Sequence, residues 1–377
     1  LAQAAEAGLR GADMVPWLNR LDVEMENVRA ALEWSFEAEP ETALRLCVAM
    51  AAYGVSRSID SDGVRWMARA ADLALSLPPA APPDARERMI LVSRVLATAA
   101  NATSLGGEAR TGGRWAEQAV ALAREARDDK VLSDALSALA TTRVFSGQLT
   151  EARDLADEML RLARSRDDWL AVAMIEASVA YFVVVGPDGA ASAEAGLQRA
   201  SDAADRSGNL RAIAFIAAGR GELLAMTGRL DEARGWFRRA ITGYEAMGDR
   251  KHLLMARSEF AHALRRTGEI DEAQELYRET LHGWQHAGNR GAIANQLECF
   301  GFLAIAKSDL LHAARLFGAA EVIREVAEAV MVGNEREEYD AAISQLRDRL
   351  DATALEAAWA EGRRLTTDEA VALALSA

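Results

Sequence analysis

The sequence is short of cysteine, and it contains no long apolar run. Its two cysteines, Cys47 and Cys299, stand far apart in apolar helical patterns and have no ligand-like neighbours. This excludes a disulfide framework and predicts two small buried side chains in a reduced, cytoplasmic setting. No apolar stretch approaches the roughly 20 residues that span a bilayer, and the first residues lack the basic-then-apolar order of a signal peptide. We therefore expect no membrane partner.

Positive charge is also scarce. The chain carries 43 lysines and arginines against 57 acidic residues, which gives a net charge of −14, and only three of the cations are lysines. Contacts to phosphates need a basic face, so we expect this segment to bind no nucleic acid. The preference for arginine over lysine is typical of a GC-rich bacterial genome.

Proline is rare, and its placement divides the chain. Four of the seven prolines lie in residues 78–83, which predicts a linker or lobe boundary at that point. A chain of 377 residues is long for one compact core, so two or three lobes or an elongated array is expected. We predict an N-terminal helical segment over residues 1–77, a repeat array over 84–320 and capping helices over 321–377.

Two phrases recur at an interval of forty residues. GRLDEA at 228–233 returns as GEIDEA at 268–273, and MGDR at 247–250 returns as AGNR at 287–290. Each period is predicted to hold a helix, a glycine turn, a second helix and another turn. Repeats of this length are typical of arrays in which each unit buries its apolar face against its neighbours.

The register of the repeat extends in both directions. GQLTEA at 147–152 lies two periods before the first of these phrases, and KSDLLHA at 307–313 lies one period after the second, with Ser308 in place of the glycine. The intervening unit is degenerate at 183–189, where a valine run has the composition of a strand. The helical pattern on both sides favours a helix. We predict about six helix pairs in total.

Packing accounts for the residue types in each repeat. Glycine at the inter-helix turn permits a positive φ. Asp231 and Asp271, near the starts of the second helices, are predicted to offer acceptors and negative charge to the helix N-termini. Small residues are expected where the two helices of a pair cross, and aromatic residues four positions later are expected to fill the core. These residues are Ala233, Ala273 and Ala313, and Phe237, Tyr277 and Phe317.

These features resemble the tetratricopeptide repeat (TPR) family. The period of about 40 residues, longer than the usual 34, is similar to the TPR arrays of bacterial signal-transduction ATPases with numerous domains (the STAND class), in particular LuxR-type transcriptional regulators. Residues 17–34, 313–321 and 359–374 resemble segments near the two ends of the array in that family. The resemblance implies an all-α, right-handed superhelical solenoid of antiparallel helix pairs, with an ATPase upstream and a DNA-binding module downstream.

The resemblance also implies a binding groove. In TPR arrays the first helix of each pair lines the concave side, so we expect a protein or peptide partner there, with a small-molecule effector as a further candidate. The negative charge of the chain favours a basic or neutral ligand. The groove positions carried over from the glycine register are Asn101, Thr141, Phe215, Glu222, Met226, Met255, His262, Arg265, Asn295, Glu298 and Phe302.

Motifs for catalysis or cofactor binding are weak. GEARTG at 107–112 has the glycine spacing of a phosphate loop, but no Lys-Ser or Lys-Thr follows it. His282 and His286 share a helix face without a third ligand, so an exposed or partly buried helix face is the better interpretation. We expect no cofactor and no metal, and we predict a sensor and interaction scaffold and no enzymatic activity. Two alternatives stay open: a structural module that self-associates or spaces other domains, and an enzyme with a cryptic site inside the superhelix.

Overall fold

The computed structural model of the protein describes residues 1–57, 61–78, 80–81, 83–105, 109–184, 189–327, 329, 331 and 333–376. Over these residues it contains nineteen α-helices and no β-strand. The predicted all-α fold class is therefore confirmed. Val183 and Val184 belong to the helix Trp169–Val184 and start no strand; residues 185–188 of that turn, and 107–108 of the phrase GEARTG, lie outside the described residues.

The helices follow the predicted order along the chain. Four precede the repeats: α1 (Ala2–Gly8), α2 (Met14–Ala38), α3 (Pro40–Arg57) and α4 (Ser61–Ser76). Twelve form six successive pairs: α5 (Ala85–Leu105), α6 (Ala109–Ala126), α7 (Asp129–Phe145), α8 (Leu149–Arg164), α9 (Trp169–Val184), α10 (Gly189–Ser207), α11 (Leu210–Met226), α12 (Leu230–Met247), α13 (Arg250–Arg266), α14 (Ile270–His286), α15 (Arg290–Ala306) and α16 (Leu310–Ala327). Three follow the repeats: α17 (Gly333–Arg349), α18 (Ala352–Arg363) and α19 (Thr367–Leu375).

The chain divides into two compact units. Unit 1 comprises Leu1–Arg220 with Thr242–Asp249, and unit 2 comprises Gly221–Ile241 with Arg250–Ala377. The division falls inside α11 and again inside α12. The sequence-based division at residues 77–84 and 320 stays a prediction.

The glycines that mark the register occupy turns with a positive φ. Gly147, Gly228 and Gly268 have φ of 74°, 80° and 92°, and Ser308 has φ of 65° at the equivalent turn. Glycine enters this region without steric conflict, whereas a residue with a Cβ pays about 1 kcal/mol. The serine that replaces glycine in the sequence therefore keeps the backbone conformation of the repeat at an energetic cost.

The helix caps differ from the prediction. The N-cap of α14 is Glu269, which makes no side-chain capping hydrogen bond, so Asp271 contributes charge to the first turn and does not cap the helix. Asp231 holds the same place in the first turn of α12. Side-chain caps begin some first helices of pairs: Asp128 and Asn289 accept hydrogen bonds from the backbone N–H groups three residues later.

The N-terminal segment is attached to the repeats of unit 1. Arg10 donates through Nη2 to Asp168 Oδ2 at 2.9 Å, and the buried Asn209 donates through Nδ2 to the Leu9 carbonyl at 3.2 Å. Asp168 and Asn209 each also accept a backbone N–H at the start of α9 and α11, respectively. The same two side chains thus cap repeat helices and hold the segment that follows α1.

The predicted small and aromatic residues form the core of unit 2. Phe237, Tyr277 and Phe317 are fully buried, which confirms their core assignment. A Cβ added at Gly221 would lie 3.0 Å from the Phe237 ring, and one added at Gly301 would lie 2.8 Å from the Phe317 ring. These two rings of second helices therefore pack directly on the backbone of a first helix, at positions eighty residues apart.

Turn substitutions should separate backbone strain from packing. We expect Ser308→Gly to raise the free energy of unfolding by about 1 kcal/mol and Gly268→Ala to lower it by about 1 kcal/mol, because each changes the cost of a positive φ. Gly235→Ala is the matched control, since this glycine lies inside α12 with open space around it, and it should stabilise by about 1 kcal/mol. Urea unfolding measures all three variants. Loss of stability in Ser308→Gly would contradict the strain at this turn.

Candidate functional site

Eight of the eleven predicted groove residues lie in unit 2, and most of them share one surface. The last turn of α11 and the helices α13 and α15 form this surface. We call it the α13–α15 face. Six residues define it, and two methionines lie one helical turn from its two carboxylates. These residues are Glu222, Glu259, His262, Arg265, Asn295 and Phe302, with Met226 and Met255.

A hydrogen-bonded histidine lies in the middle of the α13–α15 face. His262 Nδ1 lies 2.7 Å from the Tyr277 hydroxyl and 3.6 Å from Cys299 Sγ. Burial, with the nearby guanidinium of Arg265 and that of Arg266, lowers the pKa of His262 to about 3, so the ring is neutral at physiological pH. Burial raises the pKa of Cys299 to about 12, so its thiol stays protonated. His262 and Cys299 are therefore both held in uncharged, unreactive forms.

Arg265 connects the face to the C-terminal helices. Its guanidinium lies 4.6 Å above the Phe302 ring and pairs with Glu338 of α17 at 2.5 Å. The side chain is only 11% exposed, and its Nε has no hydrogen-bond partner among the described residues. A guanidinium stacked on an aromatic ring and paired on one edge keeps a fixed orientation. This fixes Phe302 and Arg265 as rigid parts of the surface.

Two carboxylates on the face have no partner in the described part of the chain. Glu222 and Glu259 are half-buried, and neither makes a hydrogen bond or an ion pair there. Burial raises the pKa of both carboxyls; repulsion from Glu222 and Glu335 raises that of Glu259 further, against the opposing effect of Arg266, to about 7. Negative charge on this part of the face is therefore poorly compensated within the protein.

Glu298 and Asn295 make their contacts inside the protein. The Glu298 carboxylate accepts two hydrogen bonds from Arg324 of α16, at 2.9 and 2.7 Å, and both side chains are almost fully buried. Asn295 donates to Glu335 at 3.3 Å. A buried bidentate pair of this kind holds α15 against α16. The Glu298 carboxylate is therefore engaged in packing.

The remaining predicted groove residues differ in exposure. Asn101 and Thr141 lie half-buried on α5 and α7 of unit 1, and the Thr141 hydroxyl donates to the Ser137 carbonyl at 3.0 Å. Phe215, in the part of α11 that belongs to unit 1, is 43% exposed. In unit 2, Met226 and Met255 are 56% and 44% exposed. The two methionines offer apolar contact area beside Glu222 and Glu259.

Several residues of the site were absent from the sequence prediction. Glu259 lies four residues after Met255 and three before His262, so the helical period of the predicted groove positions was sufficient to find it. Arg324 and Glu338 lie on α16 and α17, outside the positions that the repeat register assigns. No signal in the repeat points to these two partners.

Other sequence motifs stay on the surface. His282 and His286 are both exposed on α14. Within the described residues, no group of three or more His, Cys, Asp or Glu side chains is placed to hold a metal ion. In the same residues, every helix is too short or too polar to cross a membrane.

Comparison with known proteins supports the repeat assignment. Residues 213–286, 74 of the 377, match the tetratricopeptide repeat family. No curated protein matches the chain. The fold is similar to that of a STAND protein with a tetratricopeptide repeat sensor from Pyrococcus horikoshii, with a TM-score of 0.55 and 15% identity; the match covers 90% of this chain and 52% of that one. The chain therefore spans about half the length of that protein.

Two other solved structures have a similar fold. Aspartyl phosphate phosphatase F from Bacillus subtilis matches with a TM-score of 0.54 and 12% identity, over 80% of this chain and 76% of that one. The Rap conjugation gene regulator of plasmid pLS20, solved in complex with a peptide, matches with a TM-score of 0.54 and 13% identity, over 79% of each chain. At these identities the comparisons establish a shared TPR-like helical fold.

The pH dependence of stability should depend on Glu259. Because its pKa is raised from the ordinary 4.5 to about 7, the native state binds more protons than the unfolded state between these values. Its contribution to stability is therefore lost as the pH rises through this window. The stabilisation of the protein by Glu259→Gln should be about 1–2 kcal/mol larger at pH 8 than at pH 5. This is less than the full pKa shift implies, because the side chain is partly exposed.

Urea unfolding of the wild type and of Glu259→Gln is measured across this pH range. The difference between their free energies of unfolding removes the contribution of other groups. Glu275→Gln is the control, because Glu275 is exposed on α14. An equal pH profile for wild type and Glu259→Gln would show that the carboxyl titrates normally.

Proposed function

We propose that the chain is a sensor and interaction scaffold without enzymatic activity, which binds a protein or peptide partner on the α13–α15 face. The observation that carries the proposal is the pair of half-buried carboxylates, Glu222 and Glu259, without hydrogen-bond or ion-pair partners in the described chain. The peptide seen in the similar Rap regulator supports the class of partner.

The chemistry of the face selects a basic partner. A lysine or arginine side chain placed between Glu222 and Glu259 supplies the missing counter-charge and removes their repulsion. Met226 and Met255 provide flexible apolar contacts that accommodate a neighbouring side chain of the partner. The neutral His262 and the fixed Arg265 bound the site and discourage a second positive charge beside them.

We further propose that this scaffold serves a bacterial regulatory ATPase of the STAND class, of the LuxR type, in which partner binding shifts the population between resting and assembly-competent states. The similarity to the sensor-bearing STAND protein supports this context. A full-length gene product with a phosphate-binding loop before this segment and a helix-turn-helix after it is the expected arrangement.

The raised pKa of Glu259 also favours one alternative, an enzyme that uses this carboxyl as a general acid or base. Binding is the better interpretation because the neighbouring reactive groups are inactive. The pKa of His262 is too low for a base at neutral pH, and that of Cys299 is too high for a thiolate nucleophile.

Selection from a random peptide library displayed on phage tests the proposed face. Peptides enriched on the wild-type chain should contain lysine or arginine. Their affinity should fall about tenfold or more in the Glu222→Gln, Glu259→Gln double variant, because each lost charged contact is worth about a factor of ten. Glu275→Gln should bind like the wild type.

Sedimentation of the same samples separates the structural alternative. Enriched peptides that bind the double variant and the wild type equally would rule out the α13–α15 face as the binding site. A stable dimer that enriches no peptide would instead favour a self-association module.

A further inference from the structure

A second candidate site lies in the C-terminal part of unit 2, away from the α13–α15 face. A cavity of about 760 Å³ opens between α16, α17 and α18. Sites for small organic molecules commonly enclose about 300–1,000 Å³. None of its lining residues belongs to the α13–α15 face, so it is a separate feature of the molecule.

One wall of the cavity is aromatic and rigid. Tyr339 of α17 and Trp359 of α18 line it, and both rings pack on the fully buried Phe317, with centroid distances of 5.5 and 6.4 Å. The Trp359 indole N–H donates to Glu321 at 2.8 Å, which fixes the plane of the indole ring. Apolar side chains, including Leu355, complete the wall. A flat or bulky apolar group fits against such a surface at little entropic cost.

Most of the charges around the cavity are already paired. Glu321 forms an ion pair with Arg363, and Asp340 lies 3.9 Å from Arg336 on the same helix. These pairs leave the cavity with little need for further counter-charge from a ligand at these positions.

Two charges of opposite sign remain. Arg347 of α17 and Glu356 of α18 both line the cavity, and neither makes a hydrogen bond or an ion pair with another residue of the described ranges. They lie on different helices and both border the cavity, so a molecule in it can contact a free cation and a free carboxylate. A ligand with one charge of each sign satisfies both.

We propose that this cavity binds a small zwitterion with an aromatic or bulky apolar group, of the chemical class of the free apolar amino acids. The ligand carboxylate pairs with the Arg347 guanidinium, and its ammonium pairs with Glu356. Its apolar group packs on Tyr339 and Trp359. The site thus gives the proposed scaffold a small-molecule input at residues separate from the α13–α15 face.

Three related compounds test the charge pattern: L-tryptophan, indole-3-propionate, which lacks the ammonium, and tryptamine, which lacks the carboxylate. Isothermal titration of the full chain should show tryptophan binding more tightly than either analogue. Arg347→Gln should weaken tryptophan and indole-3-propionate by about tenfold and leave tryptamine unchanged. Glu356→Gln should weaken tryptophan and tryptamine and leave indole-3-propionate unchanged.

Both substituted residues are exposed, so the fold should tolerate the changes. Arg349→Gln is the control, since Arg349 is exposed on α17 and does not line the cavity. Repeating the titration with phenylalanine and leucine covers the other apolar amino acids. The proposal is overturned if none of the amino acids binds at millimolar concentration. It is equally overturned if tryptophan binds with unchanged affinity to both charge variants, or if an analogue with a single charge binds more tightly than tryptophan.

Discussion

The close contact between an aromatic ring of α12 or α16 and the backbone of the preceding helix organises unit 2. Phe237 packs on Gly221 and Phe317 packs on Gly301, so closely that an added Cβ would lie 3.0 and 2.8 Å from the respective rings. Tyr277 occupies the equivalent position forty residues from each ring and is fully buried. This contact fixes the distance and rotation of the helices in a pair. Side chains at equivalent positions of α13 and α15 consequently fall on one surface.

Polar residues on and beneath that surface fall into two groups with different consequences. Glu298 with Arg324, and His262 with Tyr277, have their polar atoms paired within the protein and serve its stability. Glu222 and Glu259 lie on the same surface without such partners. Burying a carboxylate without compensation costs stability, and proteins keep such groups where a ligand supplies the missing charge. The distribution of satisfied and unsatisfied groups therefore points to a basic partner more strongly than the net charge of the chain does.

The repeat register predicts much of the fold and part of the α13–α15 face. It located the helix pairs and the core aromatic residues, because a glycine turn and a small-aromatic pair recur at fixed spacing. It also selected His262, Arg265 and Phe302, which the fold brings onto one face. The expected capping acceptor Asp271 lies in the first turn of α14 and contributes only charge there, because Asp and Glu in a first turn resemble a capping signal in the sequence.

Other features depend on contacts that do not recur from one repeat to the next. The pairing of Glu298 with Arg324 joins α15 to α16, and the cavity beside Trp359 depends on how three helices outside the regular repeat pack together. Neither follows from spacing along the chain. Likewise, the raised pKa of Glu259 results from burial and from Glu222 on a neighbouring helix, which only the packed structure reveals.

Site-specific photo-crosslinking tests most directly whether the α13–α15 face is the binding surface. A benzophenone amino acid is placed at Met255, which is 44% exposed on this face, or at Leu311, which is 40% exposed on α16. The chain is then irradiated with a library-selected basic peptide, and the adducts are identified by mass spectrometry. The account predicts an adduct at position 255 and none at 311. A peptide that crosslinks at 311 and not at 255 would contradict it.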